Sequence, residues 1–144
     1  MVYTLVTYQP GLPGVRPNSP LFRTLIDSHD SLLQGTPAVE VIHDIAPRPD
    51  EPVIRGQAGS GFEGTALDTI LHVAGVDTLV LAGIATDVAV ESTARAASDL
   101  QYRTIVVSDA CDAESDEAHV RALDVLQKWL GETPTADEVL SALR

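Results

Sequence analysis

Two apolar runs without polar alternation stand in the second half of the chain, at residues 78–83 (TLVLAG) and 103–108 (RTIVVS). Such runs are typical of parallel strands that helices cover on both faces. Residues 87–100 lie between them with helical spacing of their apolar positions, so the three segments predict a right-handed βαβ unit. The pattern therefore predicts an α/β fold in which a parallel sheet lies between layers of helices.

The first half of the chain contains shorter predicted elements. Residues 2–8 (VYTLVTY) are rich in β-branched and aromatic residues and predict a strand. Residues 10–20 (PGLPGVRPNSP) contain four prolines and two glycines and predict a long loop. Residues 27–34 predict a short helix, residues 38–45 (AVEVIHDI) alternate as a short strand does, and residues 53–56 predict another strand.

Helices are predicted over residues 65–74 and 116–130, and a third over residues 135–143. The third begins at Thr135 with Glu138 three positions later, which is the spacing of a capping box. The side chains predicted to face the core are Ala66, Ile70 and Val73 in the first helix and Val120, Leu123 and Leu126 in the second.

Composition narrows the classes of function. The chain has 144 residues, 44% of them apolar and 21% charged, which predicts a single soluble domain over residues 1–144. Its net charge of −12 repels nucleic acid and anionic membranes, so neither is an expected partner. The single cysteine cannot form an internal disulfide, and the N-terminus lacks the pattern of a secretory signal, so we expect a cytoplasmic protein.

Candidate chemistry lies where the two buried strands end, because ligands of parallel sheets bind beyond the carboxyl ends of strands. At the first junction, backbone N–H groups of residues 83–89 could hold an anion, although Thr86 or Asp87 as a plain helix cap explains the same pattern. At the second junction, residues 108–112, Cys111 is more typical of a small buried residue than of a nucleophile. The glycine-rich residues 59–64 (GSGFEG) are most simply a turn.

No cofactor and no metal are expected from the motifs. The chain has neither a GxGxxG after a strand nor a GxxxxGK[ST] sequence. The histidines lack the paired spacing of a metal site; they are His29, His43, His72 and His119.

Five segments of the sequence carry a family resemblance: VIR at 53–55, SGFEGT at 60–65, DTLVLAGIATD at 77–87, ESTAR at 91–95 and VSDA at 107–110. Together they resemble the isochorismatase-like hydrolases, a superfamily that also includes nicotinamidases and N-carbamoylsarcosine amidases. The resemblance implies a three-layer α/β/α sandwich with a mostly parallel, Rossmann-like sheet, and hydrolysis of small amides or of a vinyl ether. It also implies that the chain starts after the family's first strand.

The family's three catalytic positions are altered here. The nucleophilic cysteine falls on Ala89, the lysine falls on Arg55, and the aspartate has no counterpart. Because alanine cannot attack a carbonyl and a guanidinium does not exchange protons as a perturbed lysine does, thiol hydrolysis is not expected. The chain is similar to a branch with a small residue at the cysteine position, which indicates that Ala89 is natural. The alternative is an alanine engineered to trap a substrate, and both Arg55 and the missing first strand argue against it.

The resemblance implies that the backbone frame persists without the nucleophile. It places a cis peptide between Ile84 and Ala85, with the N–H groups of Ala85 and Ala89 directed into a pocket. We therefore expect a degenerate family member that binds a small carboxylate or amide, with the 10–20 loop as a cover. The expected pocket residues are Ile84, Ala85, Ala89, Phe62, Arg55 and Tyr8.

Two other hypotheses remain open. One is an active enzyme that uses the same backbone donors for hydrolysis by water, for a lyase step or for an isomerisation, with Asp87, Arg55 or Tyr8 moving protons. The other is an interaction module, in which the absent strand leaves an apolar edge for a partner or a second copy. A homo-oligomer is expected because such an edge is poorly suited to a stable monomer.

Overall fold

The computed structural model describes residues 1–27 and 32–144. Its contacts divide the chain into two compact units, Met1–Ala58 and Gly59–Arg144. The first unit contains a two-stranded sheet and the second a three-stranded sheet, and every strand pairing is parallel. The predicted α/β class with parallel strands is thus confirmed.

In the first unit, β1 (Tyr3–Val6) pairs with β2 (Val53–Gly56). The predicted strand over residues 2–8 is confirmed, although the ladder ends at Val6. The backbone continues in an extended path, because the Thr7 N–H donates to the Gly56 carbonyl and Tyr8 forms a single parallel bridge with Leu33.

Helix α1 (Pro20–Asp27) was not expected, because the prolines before it hide its start. Ser19 and Pro20 are nevertheless a helix-start signal: the Ser19 Oγ accepts a hydrogen bond from the Phe22 N–H at 3.3 Å, and proline is favoured in a first turn. The helix predicted over residues 27–34 falls largely on residues 28–31, which lie outside the described residues.

The strand predicted over residues 38–45 is wrong. Two 3₁₀ turns occupy this segment, Pro37–Val39 and His43–Ile45. Alternation stabilises a strand only when its whole apolar face is buried, and here Ile45, which would share a face with Val39 and Val41, is 57% exposed. Prolines at both ends of the segment favour turns.

The second unit carries most of the regular structure. Its sheet has the order β3, β4, β5, so the predicted βαβ unit is confirmed, while β5 was not predicted. No helix in the described ranges is long and apolar enough to cross a membrane. The elements are α2 (Leu67–Val73), β3 (Thr78–Ile84), a π-helical turn (Thr86–Val90), α3 (Glu91–Asp99), β4 (Arg103–Asp112), α4 (Asp116–Trp129), β5 (Gly131–Glu132) and α5 (Ala136–Ala142).

The sheet of this unit has helices on both faces, but they cover it unequally. On one face, Val106 packs with Val90, Ala94 and Leu126 in a buried cluster that joins the π turn, α3 and α4. Ile105 points to the opposite face, since side chains alternate along a strand, and lines a cleft beside α5. Val80 on β3 is 50% exposed, so the prediction that this strand is buried on both faces is wrong at Val80.

Helix faces were predicted less well than helix positions. Helix α2 buries Leu67 and Leu71, which lie about 100° round the helix from the predicted stripe, and Val73 is exposed. In α4, Leu126 is buried as expected, but Val120 is exposed because six residues place it about 120° from Leu126. Leu123 packs against the cluster as predicted, and Ala122 on the same helix is also buried. The predicted capping box of Thr135 and Glu138 is confirmed.

Candidate functional site

The corner between β3 and α3, residues 83–90, has an unusual backbone. Gly83 has φ of +139°, a value that favours glycine, and the Ile84–Ala85 peptide is cis. The cis linkage expected from the family resemblance is therefore confirmed. The chain then enters the π turn, and α3 begins at Glu91.

Hydrogen bonds inside the corner converge on one carbonyl. The Ala85 oxygen accepts the N–H groups of Val88, Ala89 and Val90 at 3.2, 2.9 and 3.1 Å. The Ala89 N–H, expected to point into a pocket, thus already has an acceptor in the turn. A bound anion would have to share this donor with the Ala85 carbonyl or replace that carbonyl.

Ala89 lies two residues before α3 and is partly buried. Its carbonyl accepts the Thr93 hydroxyl at 2.7 Å, and the same hydroxyl oxygen accepts the Gly61 N–H at 3.0 Å. Thr93 therefore connects Ala89, the expected nucleophile position, to the glycine-rich segment 59–65. The segment lies beside the corner, because a Cβ built on Gly59 would be in ordinary van der Waals contact with the Val88 Cγ1, at 3.6 Å.

The glycine-rich segment is a turn, as expected, and its own hydrogen bonds fix it. The Thr65 hydroxyl donates to the Gly61 carbonyl at 2.6 Å, and the Phe62 N–H donates to the Ser60 Oγ at 3.2 Å. The Phe62 ring packs against Tyr102, with 5.9 Å between ring centroids and a tilt of 31°. Part of the Phe62 ring, which was expected to line the pocket, is thus covered by Tyr102.

Thr86 and Asp87 are the first residues of the π turn, and neither is its cap. The cap position is Ala85, which has no side-chain hydrogen bond, so the interpretation of Thr86 or Asp87 as a plain cap is wrong. The Thr86 hydroxyl instead lies 2.8 Å from Nδ1 of His119 on α4. Asp87 is half-buried in the first turn, where a carboxylate is favoured by the positive end of the helix dipole.

Cys111 lies nearer to the corner than its place in the sequence suggests. The register shifts by three residues between the Leu81–Val106 pair and the Gly83–Cys111 pair, because residues 107–110 of β4 stand opposite Ala82 alone; Cys111 therefore pairs with Gly83. Strand β4 therefore continues through the expected second junction. Burial raises the pKa of the Cys111 thiol, although the Gly83 N–H acts in the opposite direction. The thiol is consequently protonated at neutral pH, which makes it a poor nucleophile.

Two further expected site residues belong to the first unit. Arg55 lies on β2 opposite Leu5 and is exposed. Tyr8 is 1% exposed, and its hydroxyl donates to the Gln57 carbonyl at 3.2 Å. Burial raises the pKa of Tyr8, so its phenol does not ionise at neutral pH. These contacts make Tyr8 a core residue of the first unit.

A cleft of about 820 Å³ lies at the opposite end of the sheet in the second unit. Its lining includes Thr78 and Arg103, the first residues of β3 and β4, whereas ligands of parallel sheets bind beyond the carboxyl ends of strands. None of the expected site residues lines this cleft. Across residues 1–27 and 32–144, no three acidic, histidine or cysteine side chains are grouped to hold a metal ion.

Comparison with known proteins decides the family. A family model described as the isochorismatase domain matches residues 5–138, which is nearly the whole chain. The chain belongs to the isochorismatase family. It is 31% identical over 150 aligned positions to a maleamate amidohydrolase of Pseudomonas putida, a match that covers 100% of this chain and 66% of the relative. It is also 42% identical over 95 residues to the uncharacterized isochorismatase family protein YwoC of Bacillus subtilis, covering 66% of this chain and 50% of the relative.

A solved structure has the same fold. An isochorismatase-like hydrolase from Alkaliphilus metalliredigens superimposes with a TM-score of 0.83 at 29% identity, covering 99% of this chain and 72% of that chain. This isochorismatase-family chain spans about half the length of YwoC and about two thirds of the amidohydrolase. It is thus a hydrolase-family chain by sequence and by fold.

Proposed function

We propose that this isochorismatase-family chain binds a small carboxylate or amide at the corner of residues 83–90 and does not hydrolyse it with a thiol. The observation that carries the proposal is Ala89: the corner is built by the chain's own hydrogen bonds, yet a methyl group stands at the nucleophile position. One of the relatives, the maleamate amidohydrolase of Pseudomonas putida, is named for a small amide, which supports this class of ligand.

The chemistry of the other positions supports binding without thiol catalysis. Arg55 stands at the family's lysine position, and a guanidinium does not serve as a proton shuttle in the way that a perturbed lysine does. Cys111 pairs with Gly83 beside the corner, but its half-buried thiol has a raised pKa. The alternative of water-dependent catalysis with Asp87 as a proton carrier stays a prediction, supported only by the position of this carboxylate in the corner.

Ligand-dependent thermal stability tests the binding proposal. We expect maleamate, N-carbamoylsarcosine, nicotinamide or maleate to raise the melting temperature by several degrees at concentrations well above the dissociation constant, since a ligand at 100 times its Kd contributes about 2.7 kcal/mol. Ala89→Leu fills the corner and should abolish the shift. Ala74→Leu, at an exposed alanine in the same unit, should keep it. No shift with any of these compounds, or an equal shift in Ala89→Leu, would contradict the proposal.

Restoring the thiol alone is not expected to restore hydrolysis. In Ala89→Cys, the new thiol lacks the lysine and, in these 144 residues, the aspartate that the family resemblance requires. Each missing acid–base group costs about 10²–10⁴-fold in rate, so ammonia release from maleamate or nicotinamide should stay at the background rate. Ammonia release by Ala89→Cys that Ala89→Ser does not show would overturn this interpretation.

Self-association and a cytoplasmic location stay predictions. The first is supported by β3, which in the described residues is hydrogen-bonded to β4 alone and has no charged side chain along Thr78–Ile84. Uncharged edge strands are prone to pair with further strands.

A further inference from the structure

A hydrogen-bonded pair of side chains, a buried threonine and a partly buried histidine, joins helix α4 to the corner. Thr86 is 0% exposed, and its hydroxyl oxygen lies 2.8 Å from Nδ1 of His119. His119 is held in the first turn of α4, where its N–H donates to the Ser115 carbonyl at 3.0 Å. The pair therefore connects Thr86, the first residue of the π turn, to the first turn of α4, whose backbone is already held by the His119–Ser115 hydrogen bond.

We infer that His119 is a positioning residue for the corner and acts through Thr86. This inference rests on the proposed function only in that the corner is the binding site. Thr86 immediately follows Ala85, whose carbonyl accepts the N–H groups of Val88, Ala89 and Val90. A shift of Thr86 therefore changes the position of this carbonyl and of the donors that converge on it.

Burial of the Thr86 hydroxyl explains why its hydrogen bond to His119 matters for the corner. A buried polar group without a partner destabilises the folded state by about 1–3 kcal/mol, and His119 is the side-chain partner of Thr86 in the described ranges. The bond can form with either ring nitrogen protonated, because the hydroxyl both donates and accepts. The π turn also packs against α4 through Val90 and Leu126, so the polar pair and the apolar contact fix the same two elements.

A catalytic role for the pair does not fit its burial. A threonine hydroxyl within hydrogen-bond distance of a histidine has the arrangement of a nucleophile and its base. The Thr86 side chain is fully enclosed, however, so no substrate carbonyl reaches its oxygen. The pair holds the backbone of the corner rather than reacting.

Amide hydrogen exchange without any ligand tests the inference. In Thr86→Val and in His119→Leu, we expect exchange of the Val88, Ala89 and Val90 amides to accelerate about tenfold or more relative to amides of β4. In His119→Asn, the amide oxygen lies near the position of Nδ1 and accepts the hydroxyl, so exchange should stay close to the parent rate. The double variant of Thr86→Val and His119→Leu should exchange no faster than either single variant.

Further variants separate positioning from general stability. His72→Leu removes an exposed histidine of the same unit and should leave the corner amides unchanged. His119→Gln carries its amide group beyond the Nδ1 position, so it should accelerate exchange where His119→Asn does not, even if His119→Leu fails to fold. Uniform acceleration across the second unit, or none in Thr86→Val, would refute the inference. Because no ligand is used, this result is independent of whether any compound binds.

Discussion

Replacing Leu126 with alanine is expected to lower the free energy of unfolding by about 2–5 kcal/mol. Leu126 is 0% exposed and packs in the buried cluster with Val90, Ala94 and Val106. Removing its isobutyl group loses the transfer free energy of the buried atoms and leaves a cavity that the surrounding strand and helices only partly fill. Native domains are typically stable by about 5–15 kcal/mol, so this loss is a substantial fraction of the total.

The same substitution bears on the corner, because Val90 is the last residue of the π turn and contacts this cluster. Urea denaturation followed by circular dichroism measures the effect. Val120→Ala on the same helix removes an exposed side chain and should change stability by no more than about 0.5 kcal/mol. Equal losses in the two variants would show that α4 does not pack on the sheet through Leu126.

Local patterns predicted the parallel core of the second unit well, because its strands contain uninterrupted apolar residues and its helices lie between them. The segment 103–108 became β4, and residues 116–130 became α4 with a difference of one residue at the end. Capping at Thr135 was also predictable, since a capping box depends on two side chains three positions apart. These features are determined by neighbours in the sequence.

Contacts between distant elements could not be predicted in this way. The segment 38–45 has alternating residues, but it pairs with no strand in the described part of the chain and forms 3₁₀ turns. Cys111 reaches Gly83 only because β4 bulges between its two paired segments. His119 has no motif in the sequence, and its pairing with Thr86 depends on how α4 packs beside the π turn. The predicted corner was found, but the residue that holds it was not.

Replacing Gly131 with alanine is expected to destabilise the second unit by about 3 kcal/mol or more. Gly131 begins β5 and pairs with Thr104 of β4. A Cβ built at Gly131 overlaps the Thr104 carbonyl oxygen and lies 2.8 Å from the Thr104 Oγ1. The overlap cannot be removed by rotating a side chain, because the atom that the Cβ meets belongs to the Thr104 backbone. Thr104 also cannot easily move away, since it is buried and its hydroxyl donates to the Leu130 carbonyl at 2.5 Å.

The matched substitution is Gly59→Ala. A Cβ at Gly59 makes only ordinary contacts, with its nearest atom, the Val88 Cγ1, at 3.6 Å, so stability should change by less than about 1 kcal/mol. The two alanine variants therefore differ in steric contact and not in chemistry. Because the Gly131 clash separates β5 from β4, the Arg103–Glu132 ion pair should also be lost. If Gly131→Ala melts at the same temperature as Gly59→Ala, the close approach of β5 to Thr104 does not exist in solution.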